Sequence, residues 1–154
     1  VTFVTDKMLA SLRRIIVWSG LDPNKLLASW SALEAGITAW LTSGHLKTVV
    51  LEVYRPATWS LIGRWDFEID YSLRDDAVEM WLDADAIKNA IAKCGLDPAR
   101  CNYRIIVDNL PGRPYVAGWS SATFLSTDGF VRHCVGTTIG ANSLGARAGY
   151  WRRP

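Results

Sequence analysis

Hydrophobic side chains recur every three or four residues in three stretches of this chain, which is the spacing of one face of an α-helix. A glycine follows each stretch and suits a helix C-terminus, and the Asp22-Pro23 pair suits the start of the second helix. The pattern predicts helices from Thr5 to Ser19, from Pro23 to about Gly44 and from about Asp83 to Cys94.

Apolar and polar residues alternate in four shorter segments, which is the pattern of β-strands with one buried face. Turn residues between the members of each pair predict two antiparallel hairpins, so the fold class is α+β. The first hairpin joins Val49 to Val53 with Gly63 to Tyr71 through Pro56 to Ser60, and the second joins Tyr103 to Asp108 with Tyr115 to Ser126 through Pro111 to Pro114.

The segment from Thr127 to Pro154 differs from the rest because it holds five of the twelve glycines and shows weak periodicity. Glycine loses much backbone entropy on ordering, so this segment is predicted to be a mobile or conditionally ordered strap. The chain is interpreted as one domain, with a body of about residues 1–126 and a strap and tail of about residues 127–154.

Composition places the chain among globular proteins, since 49% of its residues are hydrophobic and 21% are charged. A net charge of +2 is too small to imply nucleic-acid or membrane binding by itself. No run of 18 apolar residues occurs, and the first residues lack the pattern of a signal peptide. The three cysteines favour reduced thiols, and a cytoplasmic location without membrane attachment is expected.

The sequence offers little for catalysis. His45 follows a helix end, and His133 and Cys134 are adjacent, so on an extended segment they point to opposite faces and form no ready dyad. The spacing of these two residues with Cys94 and Cys101 matches no zinc motif. We therefore expect no catalytic residue, no metal site and no cofactor.

Acidic side chains occupy the polar face of one predicted strand, at Asp66, Glu68 and Asp70. Grouped carboxylates can perform acid–base work, so a small enzyme is one hypothesis. Their alternation with an apolar face is more typical of a solvated strand.

A second hypothesis concerns the basic end of the chain. Arginines there accompany Tyr150 and Trp151, and such residues can meet phosphates and stack on bases. A small nucleic-acid-binding module that uses this tail is the alternative function, although a solubilising or protein-docking tail is more common.

Two helices, a long hairpin, a third helix, a second hairpin and a glycine-rich strap follow one another in an order that resembles the HORMA fold. The sequence Gly-Ala-Asn-Ser-Leu-Gly-Ala-Arg, from Gly140 to Arg147, looks most like the bacterial branch of that family. The resemblance implies an antiparallel sheet packed on about three helices, with a C-terminal safety belt.

The resemblance also implies a mechanism, in which the belt wraps a closure-motif peptide that joins the sheet edge as a strand. Carried over by position, the receiving strand is Tyr115 to Ser126 and the belt is Thr127 to Trp151. The implied contacts are Tyr115, Ala117, Trp119, Ser121, Thr123, Phe124, Val131, Val135 and Ile139, although the core is the more usual place for strand aromatics such as Trp119 and Phe124.

The resemblance implies protein partners as well. An AAA+ remodelling ATPase would grip the N-terminus at Val1, Thr2, Phe3 and Val4. The closed bacterial proteins bind and activate a cGAS/DncV-like nucleotidyltransferase in anti-phage (CBASS) signalling, so the expected role is a non-enzymatic adaptor. The sequence does not decide among three roles for Tyr150 to Pro154, which are the end of the belt, a free tail and a ligand for another HORMA domain.

Overall fold

The computed structural model of this chain describes residues 1–72, 84–93, 95–141 and 144–154, and for residues 135–141 it describes the backbone alone. Within these ranges the helices are α1 (Thr2–Trp18), α2 (Asn24–Ala28), α3 (Trp30–Ser43) and α4 (Ala84–Lys93), with a short 3-10 turn at Pro98–Arg100. The strands are β1 (Leu46–Arg55), β2 (Ser60–Asp70), β3 (Asn102–Asn109), β4 (Val131–Ala141) and β5 (Leu144–Arg152).

The strands form one antiparallel sheet in the order β3-β1-β2-β5-β4, so β3 and β4 lie at opposite edges. Val49 of β1 is paired with Phe67 of β2 and with Val107 of β3. These side chains share the face that the helices cover, which we call the helix side, and the opposite face is called the outer face.

The core lies between the helices and this face of the sheet, as the apolar alternation predicts. Met8 of α1, Trp40 of α3 and Leu51, Trp65 and Tyr150 of the strands are each at most 2% exposed. The rings of Trp65 and Tyr150 lie 4.0 Å apart between centroids, so β2 and β5 are joined by side-chain packing as well as by hydrogen bonds.

The helix predictions are confirmed with one adjustment. The second predicted helix is divided at Ser29 into α2 and α3, and α3 ends at Gly44, whose φ of +75° is accessible to glycine at low cost. The third predicted helix corresponds to α4; its expected bounds Asp83 and Cys94 lie outside the described residues.

The first predicted hairpin is confirmed by β1 and β2, but the second is wrong. The segment from Tyr115 to Ser126 forms no strand; it belongs to an irregular connection between β3 and β4, residues 110–130, which we call the crossing segment. Gly118 within it has a φ of +89°, which interrupts an extended conformation. The residues of this segment pack against two different surfaces, since Trp119 contacts α3 and Leu125 contacts Glu52 of β1.

The C-terminal segment, predicted as a mobile or conditionally ordered strap, contributes β4 (residues 131–141) and β5 (residues 144–152) to the sheet. Tyr150 is 1% exposed, and its hydroxyl would lie 2.9 Å from a Cβ atom placed at Gly63. The missing side chain at Gly63 of β2 therefore makes room for Tyr150, and the missing side chain at Gly149 of β5 makes room for the guanidinium of Arg132. The functional division of the chain near residue 127 stays a prediction.

Candidate functional site

One edge of the sheet is open to strand addition. β3 pairs with β1 on one side, and on its other side no backbone hydrogen bond links it to another segment among the residues that the structure describes. Unpaired backbone groups along such an edge are a template for another extended chain. The edge of β3 is therefore the first candidate for a binding site.

The hydrogen bonding of Tyr103 indicates which backbone groups face this edge. Lys25 Nζ donates to the carbonyl oxygen of Tyr103 at 2.5 Å, which places that oxygen on the side away from β1. Both backbone groups of alternate residues point to the same side of an antiparallel strand. Ile105 and Val107 thus direct their N–H and C=O groups toward the open edge.

The crossing segment is fixed to the helix side through Trp119. Its indole Nε1 donates to the carbonyl of Ala32 in α3 at 2.9 Å, and its ring meets Trp40 edge-on with centroids 4.9 Å apart. Nε1 of Trp40 in turn donates to the carbonyl of Pro114 at 2.8 Å. Two tryptophans therefore anchor the first half of the segment on α3.

The second half of the segment is fixed to the outer face. The backbone N–H of Leu125 donates to Oε2 of Glu52 at 2.8 Å, and Arg104 Nε donates to the other carboxylate oxygen at 2.7 Å. Arg104 Nη2 also donates to the carbonyl of Thr123 at 2.6 Å. Glu52 is fully buried and Arg104 is partly exposed, so this anchor is a charge-assisted set of hydrogen bonds centred on a buried carboxylate.

The two anchors lie on opposite faces of the sheet, so the residues between Trp119 and Leu125 pass around the edge of β3. A cavity of about 260 Å³ separates the segment from the strand, lined by residues 105–109 and by residues 113 and 119–122. Asn109 Oδ1 is buried beside it without a hydrogen-bond partner among the described residues. An extended chain added to β3 would be enclosed by this segment, and an N–H group of that chain could donate a hydrogen bond to Asn109 Oδ1.

A second cavity of about 350 Å³ lies where β3 begins, between the α1–α2 connection and the 3-10 turn. There the hydroxyl of Tyr103 donates to the carbonyl of Asp22 at 2.5 Å and accepts from the N–H of Leu26 at 3.1 Å. Desolvation, together with the nearby charge of Arg104, lowers the pKa of Lys25 below its ordinary value. Desolvation raises the pKa of Tyr103, and its hydrogen bonds hold α2 against the strand.

The acidic residues of β2 do not form the uniformly solvated face that alternation predicted. Asp66 is 2% exposed, and it accepts hydrogen bonds from Arg132 Nη2 at 3.0 Å and from Trp151 Nε1 at 2.7 Å. Arg64 Nη2 lies 3.9 Å from the same carboxylate. Glu68 is exposed as expected, while Asp66 ties β2 to the β4–β5 hairpin across the outer face.

The side chains predicted to contact a peptide do not lie on one strand. Trp119 packs against the core, as the alternative interpretation allowed, and the ring of Phe124 stacks on the guanidinium of Arg64 at 4.8 Å. Tyr115, Ala117, Ser121 and Thr123 are exposed on the crossing segment, Val131 is exposed at the start of β4, and the side chains of Val135 and Ile139 lie outside the described residues.

Sequence reasoning missed the residues that shape the site, namely Ile105 and Val107 at the edge, Gly36 and Ala32 on α3, and Glu52 on the outer face. The alternation around Ile105 predicted the strand but gave no information about which strand is at the edge. Gly36 is the one available signal, because a glycine within a helix often marks close contact with another segment.

The predicted N-terminal handle is the first turn of α1. Val1 is 42% exposed, whereas Val4 is fully buried in the core. Thr38 of α3 donates to the hydroxyl of Thr5 at 3.2 Å, so the start of α1 is joined to the helix that carries Trp119.

Several other expectations concern chemistry and location. Within the described ranges no group of three or more potential metal ligands comes together, and no helix there is long and apolar enough to cross a membrane. Cys134 is exposed. Tyr150 lies in the core, and Trp151 is half-buried and donates through Nε1 to Asp66, so both residues make contacts within the fold.

Comparison with known proteins gives one family. The model of the family "Bacterial HORMA domain 2" matches residues 1–154, and no curated protein matches. A chain of a mitotic checkpoint complex is similar with a TM-score of 0.70 and 10% identity, over 98% of this chain and 97% of that one.

Two further solved structures are similar in fold. The first is an Escherichia coli MS115-1 CdnC:HORMA-deltaN complex, with a TM-score of 0.62 and 13% identity over 99% of this chain and 87% of that one. The second is Caenorhabditis elegans HTP-2 bound to HTP-3 motif-6, with a TM-score of 0.58 and 16% identity over 80% of this chain and 67% of that one.

Proposed function

We propose that this chain, which belongs to the family of bacterial HORMA domains, is a non-enzymatic adaptor. It captures an extended peptide on the open edge of β3. The peptide pairs with the outward backbone groups of Ile105 and Val107. The crossing segment then acts as the safety belt, in place of the belt predicted from Thr127 to Trp151.

The observation that carries this proposal is the placement of the two anchors. Trp119 is held on the helix side and Leu125 on the outer face, and the intervening residues leave a cavity beside an unpaired strand edge. Strand addition provides affinity through main-chain hydrogen bonds, and enclosure by an anchored segment slows dissociation. The solved HTP-2 structures with bound closure motifs support the same use of the fold.

We propose a cGAS/DncV-like nucleotidyltransferase as the protein that the peptide-bound form binds and activates, in cytoplasmic anti-phage signalling. The CdnC:HORMA complex of E. coli is the structural relative that supports this partner. The contacts of Tyr150 and Trp151 within the fold favour the adaptor over the nucleic-acid-binding alternative.

An AAA+ remodelling ATPase is proposed to open the belt by pulling at Val1, Thr2, Phe3 and Val4. Val4 is fully buried, and the neighbouring Thr5 contacts Thr38 of α3. Unfolding the first turn of α1 would therefore disturb the helix on which Trp119 is anchored.

The test is selection of a displayed library of random twelve-residue peptides on the wild-type protein and on two variants of Val107. Val107→Pro removes an N–H that faces the open edge while the ladder with β1 is kept, and Val107→Thr retains that N–H. We expect enrichment with the wild type and with Val107→Thr, and loss of binding with Val107→Pro.

Two results would contradict the proposal. One is equal binding of the enriched peptides by Val107→Pro and Val107→Thr, with both variants folded by circular dichroism. The other is an absence of enriched peptides together with oligonucleotide binding that weakens steeply as salt rises, which is the behaviour of phosphate contacts.

A further inference from the structure

The cavity at the start of β3 has a positive charge fixed beside the open edge. Lys25 Nζ donates to the carbonyl of Tyr103 at 2.5 Å and to Oδ1 of Asn102 at 3.2 Å. An ammonium group has three N–H donors, so these two acceptors leave one donor available. Both acceptors are uncharged, and the charge of Lys25 is therefore not neutralised by them.

No carboxylate within the described part of the chain forms an ion pair with Lys25. Asp22 lines the same cavity, but its Oδ1 accepts from the backbone N–H of Asn24 at 2.9 Å and its Oδ2 from the Asn24 side chain at 3.4 Å. Desolvation and then the charge of Arg104 lower the pKa of Lys25, so Arg104 adds positive potential at this position. An anion would be favoured at this position.

The position of Lys25 relates this charge to the proposed peptide site. The carbonyl of Tyr103 points toward the open edge, two residues before Ile105 on the same side of the strand. The C=O of Tyr103 is bound by Lys25 and its N–H by Oδ1 of Asn102, so main-chain pairing by an added strand starts at Ile105. One end of a peptide paired with Ile105 and Val107 would therefore lie next to the ammonium group.

We infer that the peptide captured on β3 carries a carboxylate at the end that meets Lys25, either as an Asp or Glu side chain or as a free C-terminus. This inference rests on the proposed peptide capture. The available donor of Lys25 binds the carboxylate, while Tyr103 and Asn102 hold the ammonium in place. Lys25 thereby determines where the paired stretch ends, and it selects a negative charge at that end of the peptide.

The experiment uses the displayed library of random twelve-residue peptides with the wild type, Lys25→Met and Lys25→Arg. Lys88→Met is the matched control, because Lys88 is an exposed lysine on α4 whose Nζ lies 5.3 Å from the Trp18 ring. The best wild-type peptide is then synthesised in acidic, amide (Asn or Gln) and C-terminally amidated forms, and its affinities are measured by fluorescence anisotropy.

The expected result is an Asp or Glu, or a free C-terminus, at a constant distance from the apolar positions of the enriched peptides. Lys25→Met should bind the acidic form about tenfold more weakly than the wild type, and Lys25→Arg and Lys88→Met should not. Loss on side-chain amidation assigns the carboxylate to an acidic residue, and loss on C-terminal amidation assigns it to the terminus.

Enriched peptides without a carboxylate at a fixed position would overturn this inference alone, as would equal affinity of the wild type and Lys25→Met for the acidic form. If no peptide is enriched by the wild type, the proposed capture on β3 fails and this inference fails with it.

Discussion

A Cβ atom at position 36 would lie 2.3 Å from Nε1 of Trp119, so the indole of the crossing segment rests directly on the backbone of α3. No side chain larger than hydrogen fits between them. Gly36 is therefore required for the anchor on the helix side, and the residue that weakens α3 by its low helix propensity is the one that holds the segment in place.

Replacing Gly36 with alanine separates these two effects. Gly36→Ala should displace Trp119 and accelerate amide exchange in residues 119–125, whereas the helix itself gains about 1 kcal/mol of propensity. Hydrogen exchange followed by mass spectrometry measures the first effect and urea unfolding the second. Ala35→Gly is the control, because Ala35 is exposed on α3 and its exchange pattern should stay local. Unchanged exchange in Gly36→Ala would show that Trp119 is not the anchor.

The outer anchor depends on a buried charge. Glu52→Gln should lower the free energy of unfolding by about 3 kcal/mol, because it removes the fully buried charge that binds Arg104 and the N–H of Leu125. Urea denaturation provides the measurement. The control Glu68→Gln changes a side chain that is 57% exposed and should cost less than about 1 kcal/mol. Similar losses in both variants would contradict the special position of Glu52.

The C-terminal strands are predicted to be necessary for folding. Tyr150→Ala should cost about 3–5 kcal/mol, because it removes a fully buried aromatic ring that packs against Trp65. A chain that ends before Thr127 should be unfolded by circular dichroism. A cooperative thermal transition in that truncated chain would mean that β4 and β5 can be lost without loss of the remaining core.

Much of the fold follows from local pattern. The alternation from Gly63 to Tyr71 and the glycine at position 44 mark β2 and the end of α3 correctly, because a period of two and a left-handed cap are properties of neighbouring residues. Burial of Asp66 was not accessible in this way. It depends on Arg132 and Trp151, which are distant in sequence and meet Asp66 only in the folded sheet.

The crossing segment shows where local pattern misleads. Trp119 contacts a helix and Leu125 contacts a carboxylate on the other face of the sheet, yet in sequence the stretch alternates as a strand does. The glycines of the tail predict mobility, yet Gly149 lies within β5, where its lack of a side chain leaves room for Arg132. In both cases the partner, which the sequence does not reveal, decides the structure.

Acidic pH should weaken the end of β2. Hydrogen bonds from the N–H and hydroxyl of Ser72, assisted by the charge of Arg147, hold the pKa of Asp70 below its ordinary value. A lowered pKa in the folded state means stabilisation that is complete above the unfolded-state pKa and is lost as pH falls through the folded-state pKa. Asp70→Asn should therefore be less stable than the wild type at neutral pH.

The stability difference between Asp70→Asn and the wild type should shrink as pH falls through the lowered pKa. Urea unfolding measured at several pH values tests this, with Asp128→Asn as an exposed comparison. A difference that stays constant with pH would exclude the carboxylate charge as its cause.

The crossing segment is attached at both ends, to β3 at one edge of the sheet and to β4 at the other, and it makes a closed ring with the strands between them. A chain lying inside that ring is threaded, and a folded domain on each side of the threaded stretch would act as a stopper. Release of Trp119 or Leu125 only loosens this ring, and such a partner can enter or leave only if two paired strands, for example β2 and β5, separate. Its residence time would then be set by the unfolding of this protein, independently of how many contacts the partner makes.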